Sequence, residues 1–309
     1  MIQMLPNPDN GVFLTYTGME TDLIYNKGVD LPGFATHPLL ASREGQDWLR
    51  PYYDSQIVLA RAAGIGCILE APTWAANRDR GRDIHCSETV LHQRNLQALD
   101  LLADIRRKHW RRQEAPTILL SANIGPRHDS YAPAAQMSAA EAENYHGAQI
   151  QSFATTEADL ITAYTLSHAA EAIGILNASA DTALPTVISF TVETDGRLPS
   201  GQPLQDAIEE VDQATDRAAC YFMVNCAHPS HSSNVLDHAP WVQRLHGVVA
   251  NASRCSHAEL EASEELDAGD PVEFARLMMA LHHEHPQITV LGGCCGTDMR
   301  HLHEMTKRV

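Results

Sequence analysis

Short β-branched or apolar runs alternate with longer helical patterns along this whole chain, and that alternation restricts the fold more than any other feature. The runs fall at residues 12–16, 67–71, 117–123, 160–164, 186–191, 221–225, 248–251 and 288–291. Helical patterns lie between them at 47–63, 88–112, 139–154, 167–179, 204–218, 240–244 and 271–283, with a last one at 299–307. Strands separated by helices line up parallel, each crossing over to the next. Eight such units in 309 residues suit a closed (β/α)8 TIM barrel better than an open doubly wound sheet. No glycine-rich dinucleotide fingerprint follows the first run, which weakens the open-sheet alternative further. The expectation is one barrel domain over residues 1–309.

Local signals agree. Ser138 precedes Glu141 in a capping-box pattern, and Pro271 follows Asp270 as a first helical residue. Gly64 and Gly174 stand near expected helix ends, where glycine is favoured.

The balance of charge narrows the partners. A formal charge of −17 leaves no general basic face for nucleic acid. The dense basic stretch Arg106-Arg107-Lys108-His109-Trp110-Arg111-Arg112 closes a helical pattern, where cations complement the helix dipole. No apolar run approaches the roughly 18 residues of a membrane span. Met1-Ile2-Gln3-Met4-Leu5-Pro6 lacks the basic-then-apolar order of a signal peptide. Seven scattered cysteines, an odd number, do not form a secreted disulfide framework. A cytoplasmic protein acting on small molecules is expected, with no nucleic-acid or membrane partner and with its oligomeric state open.

Two strand ends carry the chemistry. Gly292-Gly293-Cys294-Cys295-Gly296 follows the eighth run, and Cys226 follows the sixth within Asn225-Cys226-Ala227-His228. Adjacent strand residues face opposite sides of a sheet, so both thiols of a Cys-Cys pair reach one site only if the chain turns. The flanking glycines permit that turn. Strand ends of a barrel share one mouth, so all three sulfurs can converge across the intervening sequence. Three thiolates with a fourth position open suit a zinc ion that binds substrate. The plainer readings are buried thiols acting as small hydrophobes or a strained vicinal disulfide. His228 and His231 stand close enough to line the mouth or supply a fourth ligand. The run His282-His283-Glu284-His285 reads as a solvated helix end.

At this point the chain resembles the homocysteine S-methyltransferase family over almost its whole length. Asn225-Cys226 and Gly292-Gly293-Cys294-Cys295-Gly296 match the family's zinc-binding motifs, with weaker matches at Ser121-Ala122-Asn123-Ile124-Gly125-Pro126, Ala158-Asp159-Leu160-Ile161 and Ser189-Phe190-Thr191. The resemblance implies that Cys226, Cys294 and Cys295 bind Zn2+. It also implies methyl transfer from a sulfonium or betaine-type donor to a thiol, most simply homocysteine, giving methionine. The chain is too short to add a cobalamin domain to the barrel, so a freely diffusing donor is expected.

The sequence departs from the family at two acidic positions. Family members place Asp-Gly-Gly after the first strand, where this chain has Tyr16-Thr17-Gly18 followed by Met19-Glu20-Thr21. They place a glutamate at the end of the fourth strand, where this chain has Tyr164-Thr165. Those carboxylates are associated with the substrate ammonium, so recognition is expected from other mouth residues: Asn123, Tyr16, Thr17, Glu70, Tyr164 and Asn225. Glu193 and Asp195, after the fifth strand, are further candidates, and Trp74 offers a π-face to a cationic donor. Two other classes compete. A zinc hydrolase on this barrel needs histidine and carboxylate ligands, yet no His-x-His follows the first strand. A non-catalytic zinc- or thiol-binding relative is the second alternative, as is a methyltransferase for a different thiol.

Overall fold

The computed structural model describes residues 5–6, 11–110, 116–131, 136–233 and 236–309. Eight parallel strands close into a barrel: β1 (Phe13–Leu14), β2 (Gly66–Glu70), β3 (Ile118–Ile124), β4 (Leu160–Leu166), β5 (Thr186–Thr191), β6 (Phe222–Asn225), β7 (Leu245–Ala250) and β8 (Val290–Gly293). The ring is completed by β1, which pairs with β2 on one side and β8 on the other. Outer helices include Arg43–Ala63, Glu88–Trp110, Ala139–Phe153, Ala169–Ser179, Leu204–Ala214, Pro271–Glu284 and Met299–Thr306. The expected (β/α)8 architecture is thus present. Between β6 and β7 the crossover is short, a helix at Pro229–Ser233 and a 3-10 turn at Pro240–Arg244.

Boundaries moved where pairing or side-chain chemistry overrode local preference. The seventh strand begins at Leu245, because Leu245 and Gly247 pair with Phe222 and Met223 despite the polar His246 between them. The helix after β5 stops at Ala214, with the Thr215 hydroxyl donating to the Val211 carbonyl at 2.7 Å. The helix after β2 runs to Trp110, and the expected continuation through Arg111 and Arg112 lies outside the described residues. Both the Ser138–Glu141 capping box and the Asp270 cap before Pro271 form, and Gly64 caps its helix with φ 69°. Gly174 does not end a helix. It sits inside Ala169–Ser179 at a close crossing, where a Cβ would lie 2.4 Å from the Ala139 carbonyl oxygen and 2.5 Å from Ala142 Cβ.

The pleat sorts side chains into two cores. Leu14, Leu69, Leu120, Ile161, Ile188, Val224 and Leu291 point outward and pack under the helices. Phe13, Ile68, Leu119, Leu160, Val187, Met223 and Val290 point inward and fill the barrel's lower half. Two residues further along the strands the interior becomes polar, in step with the period of two. Thr15 donates to Glu70 at 3.2 Å, the Ser121 and Thr162 hydroxyls lie 2.7 Å apart, and Ser189 donates to Asn225 Oδ1 at 2.7 Å. Buried polar groups need such partners. This layer separates the apolar floor from the mouth, so the open end of the barrel begins at the strand termini.

Because the Ala139–Phe153 and Ala169–Ser179 helices meet at Gly174, Gly174→Val should overpack the crossing. The expected loss is about 1–3 kcal/mol, read as a lower thermal midpoint with an unchanged barrel circular dichroism spectrum. An unchanged midpoint would contradict the packing described.

Candidate metal centre

Cys226 leaves β6 in a left-handed conformation, φ 55°, which costs a residue bearing a Cβ. Were the strand to continue, Cys226 would face away from Asn225. The turn brings both side chains to the mouth, where both line one cavity. Hydrogen bonds fix the turn. Cys226 N–H donates to the Val249 carbonyl at 3.1 Å, while the Cys226 carbonyl accepts from Asn251 Nδ2 at 2.9 Å and His257 Nε2 at 2.6 Å. Glu193 Oε2 lies 3.4 Å from the other ring nitrogen of His257, and Tyr131 stacks on that ring at 3.7 Å.

Cys294 and Cys295 are turned by a different device. Their loop ends at Gly296 in the left-handed region, φ 79°. Thr297 donates to the Cys294 carbonyl at 2.7 Å, and the same hydroxyl accepts from Gly18 N–H at 3.0 Å. The approach demands glycine: a Cβ on Gly18 would lie 2.3 Å from the Cys294 oxygen, and one on Gly293 would lie 2.2 Å from Thr297 Oγ1. Gly292 likewise admits the backbone just beyond β1, with Tyr16 O 2.8 Å from where its Cβ would be. The Gly-Gly-Cys-Cys-Gly spacing is therefore a packing requirement as well as a turn signal.

The three sulfurs lie within 4.8 Å of one another, with Cys226 Sγ 2.7 Å from Cys294 Sγ and 4.0 Å from Cys295 Sγ. Hydrogen bonds from Cys294 and Cys295 hold the Cys226 thiol well below its ordinary range, and those same bonds to Cys226 push Cys294 and Cys295 well above theirs. Sulfurs on a tetrahedral zinc at about 2.3 Å stand about 3.8 Å apart. The Cys226–Cys295 spacing fits that value, and the tighter Cys226–Cys294 pair would have to part to admit an ion. Soft donors in this number suit zinc. Among the described residues no histidine or carboxylate joins the group. His228 instead bonds Ser230 Oγ at 2.7 Å, and His282 bonds the Ile288 carbonyl at 2.7 Å.

The sulfurs sit in the wall of a cavity of ≈ 690 Å³ that also takes in Tyr16, Asn123, Tyr164 and Asn225. Asn123 is buried and its Oδ1 has no protein partner, so an acceptor is open to a ligand donor. Asn225 is largely engaged: Oδ1 accepts from Thr165 N–H at 2.8 Å as well as from Ser189, and Nδ2 donates to Thr165 Oγ1 at 2.9 Å. That clamp holds Thr165 in its own left-handed turn, φ 64°. Thr17 and Glu70 do not line the cavity. The Thr17 hydroxyl lies 3.4 Å from that of Thr297, beside the Cys294 turn. Glu70 is buried beneath Tyr164, whose hydroxyl donates to it at 3.0 Å, and burial pushes its carboxyl up to about 7. Asp195 accepts from Arg197 N–H in its own loop at 3.0 Å.

Glu20, Tyr131 and Arg80 also line the cavity, and motif reading passed over all three. Burial pushes the Glu20 carboxyl up to about 7, although Thr36 Oγ1 donates to it at 3.3 Å. Its signal was present: it lies just beyond Tyr16-Thr17-Gly18, where the family's acid is replaced. Trp74 lines the cavity too, but the Arg80 guanidinium covers one face of its indole at 4.4 Å.

A closed parallel barrel with three cysteine sulfurs gathered at its mouth is an arrangement consistent with a metal site. Residues 58–309 match the sequence profile of the family described as homocysteine S-methyltransferase, and the chain belongs to that family as one of its enzymes. The fold is similar to that of the homocysteine methyltransferase MmuM from Escherichia coli at 16% identity, covering 97% of this chain and 96% of that one. The TM-score is 0.75 for its oxidized form, 0.71 for its metallated form and 0.64 for its apo form. No curated protein matches by sequence.

Two outcomes are expected from this geometry. Thr297→Val removes the hydroxyl that joins Cys294 to Gly18 and should weaken zinc binding about 10-fold or more, measured by competition with a chromophoric chelator; equal affinity would show the tie to be dispensable. Glu70 has a folded-state carboxyl raised to about 7 from 4.5, so the folded state binds more protons and stability falls as pH rises between those values. Glu70→Gln should therefore gain in thermal midpoint relative to wild type at pH 8 and lose that advantage by pH 4. A pH-independent difference would refute the buried, proton-retaining carboxyl.

Proposed function

We propose that this protein is a zinc-dependent S-methyltransferase that moves a methyl group from a sulfonium or betaine-type donor to homocysteine, giving methionine. The observation that carries the reading is the convergence of Cys226, Cys294 and Cys295, within 4.8 Å, on one cavity at the barrel mouth. Residues 1–309 are taken as one catalytic barrel acting in the cytoplasm; among the described residues no helix is long and apolar enough to cross a membrane.

Cys226, Cys294 and Cys295 would hold the ion. When bound, zinc supplies deprotonation of the acceptor thiol at neutral pH and keeps its sulfur electron-rich. The chain's own part is alignment and exclusion of water. Asn123 Oδ1, buried and unpartnered, accepts a hydrogen bond from the acceptor's ammonium. Glu20 supplies the negative charge that the family places elsewhere on the mouth. Tyr16 and Tyr164, with ring centroids 6.5 Å apart, wall the acceptor chain, while Glu70 holds the Tyr164 hydroxyl, Asn225 clamps Thr165 and Thr17 stands beside the Cys294 turn. The acceptor sulfur attacks the methyl carbon as the donor's bond to that carbon breaks. The donor departs as a neutral sulfide or amine, so no side chain need protonate it.

The test is methyl transfer by reduced, zinc-loaded protein with homocysteine and a panel of donors. Cys226→Ala and Cys294→Ala should each lose bound zinc and fall to background transfer together. Full zinc occupancy in both variants would sink the three-thiolate assignment. Zinc retention by the wild type with no turnover over many thiols would favour a non-catalytic relative.

A further inference from the structure

The Arg43–Ala63 helix carries two apolar stripes where an outer barrel helix needs one. Leu49, Tyr53, Ile57 and Ala60 are buried and pack on the barrel. Trp48, Pro51, Tyr52, Val58 and Leu59 recur at spacings of three, four and seven residues, which stacks them along a second side of the helix. Trp48 is 40% exposed and Val58 51%. The second stripe borders the Met299–Thr306 helix, and two adjoining grooves of ≈ 500 Å³ each follow the seam. Trp48, Pro51 and Tyr52 line the groove nearer the mouth, Val58 and Leu59 the other, and Met299 lies in both. Single exposed apolar residues need no explanation, but a run of them around a groove, with an aromatic anchor, marks an interface.

The charges around the seam decide what fits it. At −17 two copies of the chain repel each other unless the faces that meet are locally balanced. Here the signs are separated along the length. Glu44 stands four residues before Trp48 and Asp47 four before Pro51, so both acids flank the stripe at the mouth end. The arginines of the same helix turn elsewhere: Arg61 lies 3.5 Å from His109, and Arg43 and Arg50 line a separate groove with Gln97. At the floor end Lys307 stands four residues beyond His303, which lines the seam. Its partner Glu304, at 2.6 Å, is shared with Arg308 at 2.8 Å, so that end keeps a positive balance. Both helices follow barrel strands and so run the same way, mouth to floor. A two-fold axis through the middle of the seam reverses one face against the other. It turns Glu44 and Asp47 of each copy toward Lys307 of its mate and lays the two apolar stripes together. We propose that a second copy of this chain docks on this seam, as an antiparallel dimer anchored by Trp48. The Tyr52 hydroxyl donates to Asp22, two residues beyond the Glu20 that lines the cavity, so the docked copy rests against the loop behind the site.

The experiment is sedimentation velocity on the full, reduced chain from sub-micromolar to tens of micromolar. Wild type should form a species of twice the 33.9 kDa chain mass within that range. Trp48→Ala, at an exposed position that leaves the barrel core untouched, should weaken association about 30-fold, with an unchanged circular dichroism spectrum. Asp47→Lys and Lys307→Asp should each weaken it about 5-fold. Combined in one chain, the two swaps should restore it, because the two residues stand at opposite ends of the seam and meet only between copies. Wild type that stays monomeric throughout would leave the seam to a different partner and overturn the proposal. A dimer indifferent to Trp48→Ala would place the interface elsewhere and overturn it equally. Swaps that fail to rescue each other would overturn the antiparallel arrangement.

Discussion

The hydroxyl of Thr297 joins the two ends of the barrel. It donates to the Cys294 carbonyl and accepts from the Gly18 amide, so the residue after β8 is tied to the loop after β1 at the seam where the ring closes. Everything that distinguishes the mouth depends on this tie. It sets the turn that presents two neighbouring thiols to one side, and it requires glycine at 18 and 293 because the backbones pass so closely. Across the mouth, Asn251 and His257 do the same for Cys226 by bonding its carbonyl. The backbone thus bears the strain of a left-handed cysteine, and all three cysteines line the cavity.

Much of this was legible in the sequence because barrel geometry converts spacing into position. Strand ends face a common mouth, so Cys226 and the Cys-Cys pair could be brought together on paper. Glycines beside the pair gave the turn. Contacts that depend on which way a polar side chain spends its hydrogen bonds were not legible. Asn225 and Glu70 stand at strand ends as substrate contacts would, yet the first clamps Thr165 and the second is sealed below Tyr164. Gly174 read as a helix end but serves a helix crossing, since both needs select glycine. Glu20 follows the first strand in sequence, but only the fold shows that its loop returns it to the cavity.

On the proposed function, the family's chemistry proceeds here without its usual acids. The tyrosine at the end of β4 puts its hydroxyl on Glu70, so the carboxyl that would face substrate from β4 is replaced by a buried one from β2. Glu20 places an acid on the cavity wall.

The most direct test is zinc K-edge X-ray absorption on the purified, reduced protein, with and without homocysteine. The account predicts about one zinc per chain with three sulfur neighbours near about 2.3 Å, rising to four when homocysteine is added. Absence of zinc, or a shell dominated by nitrogen and oxygen, would contradict the three-cysteine centre and return the Cys294–Cys295 pair to an ordinary buried role.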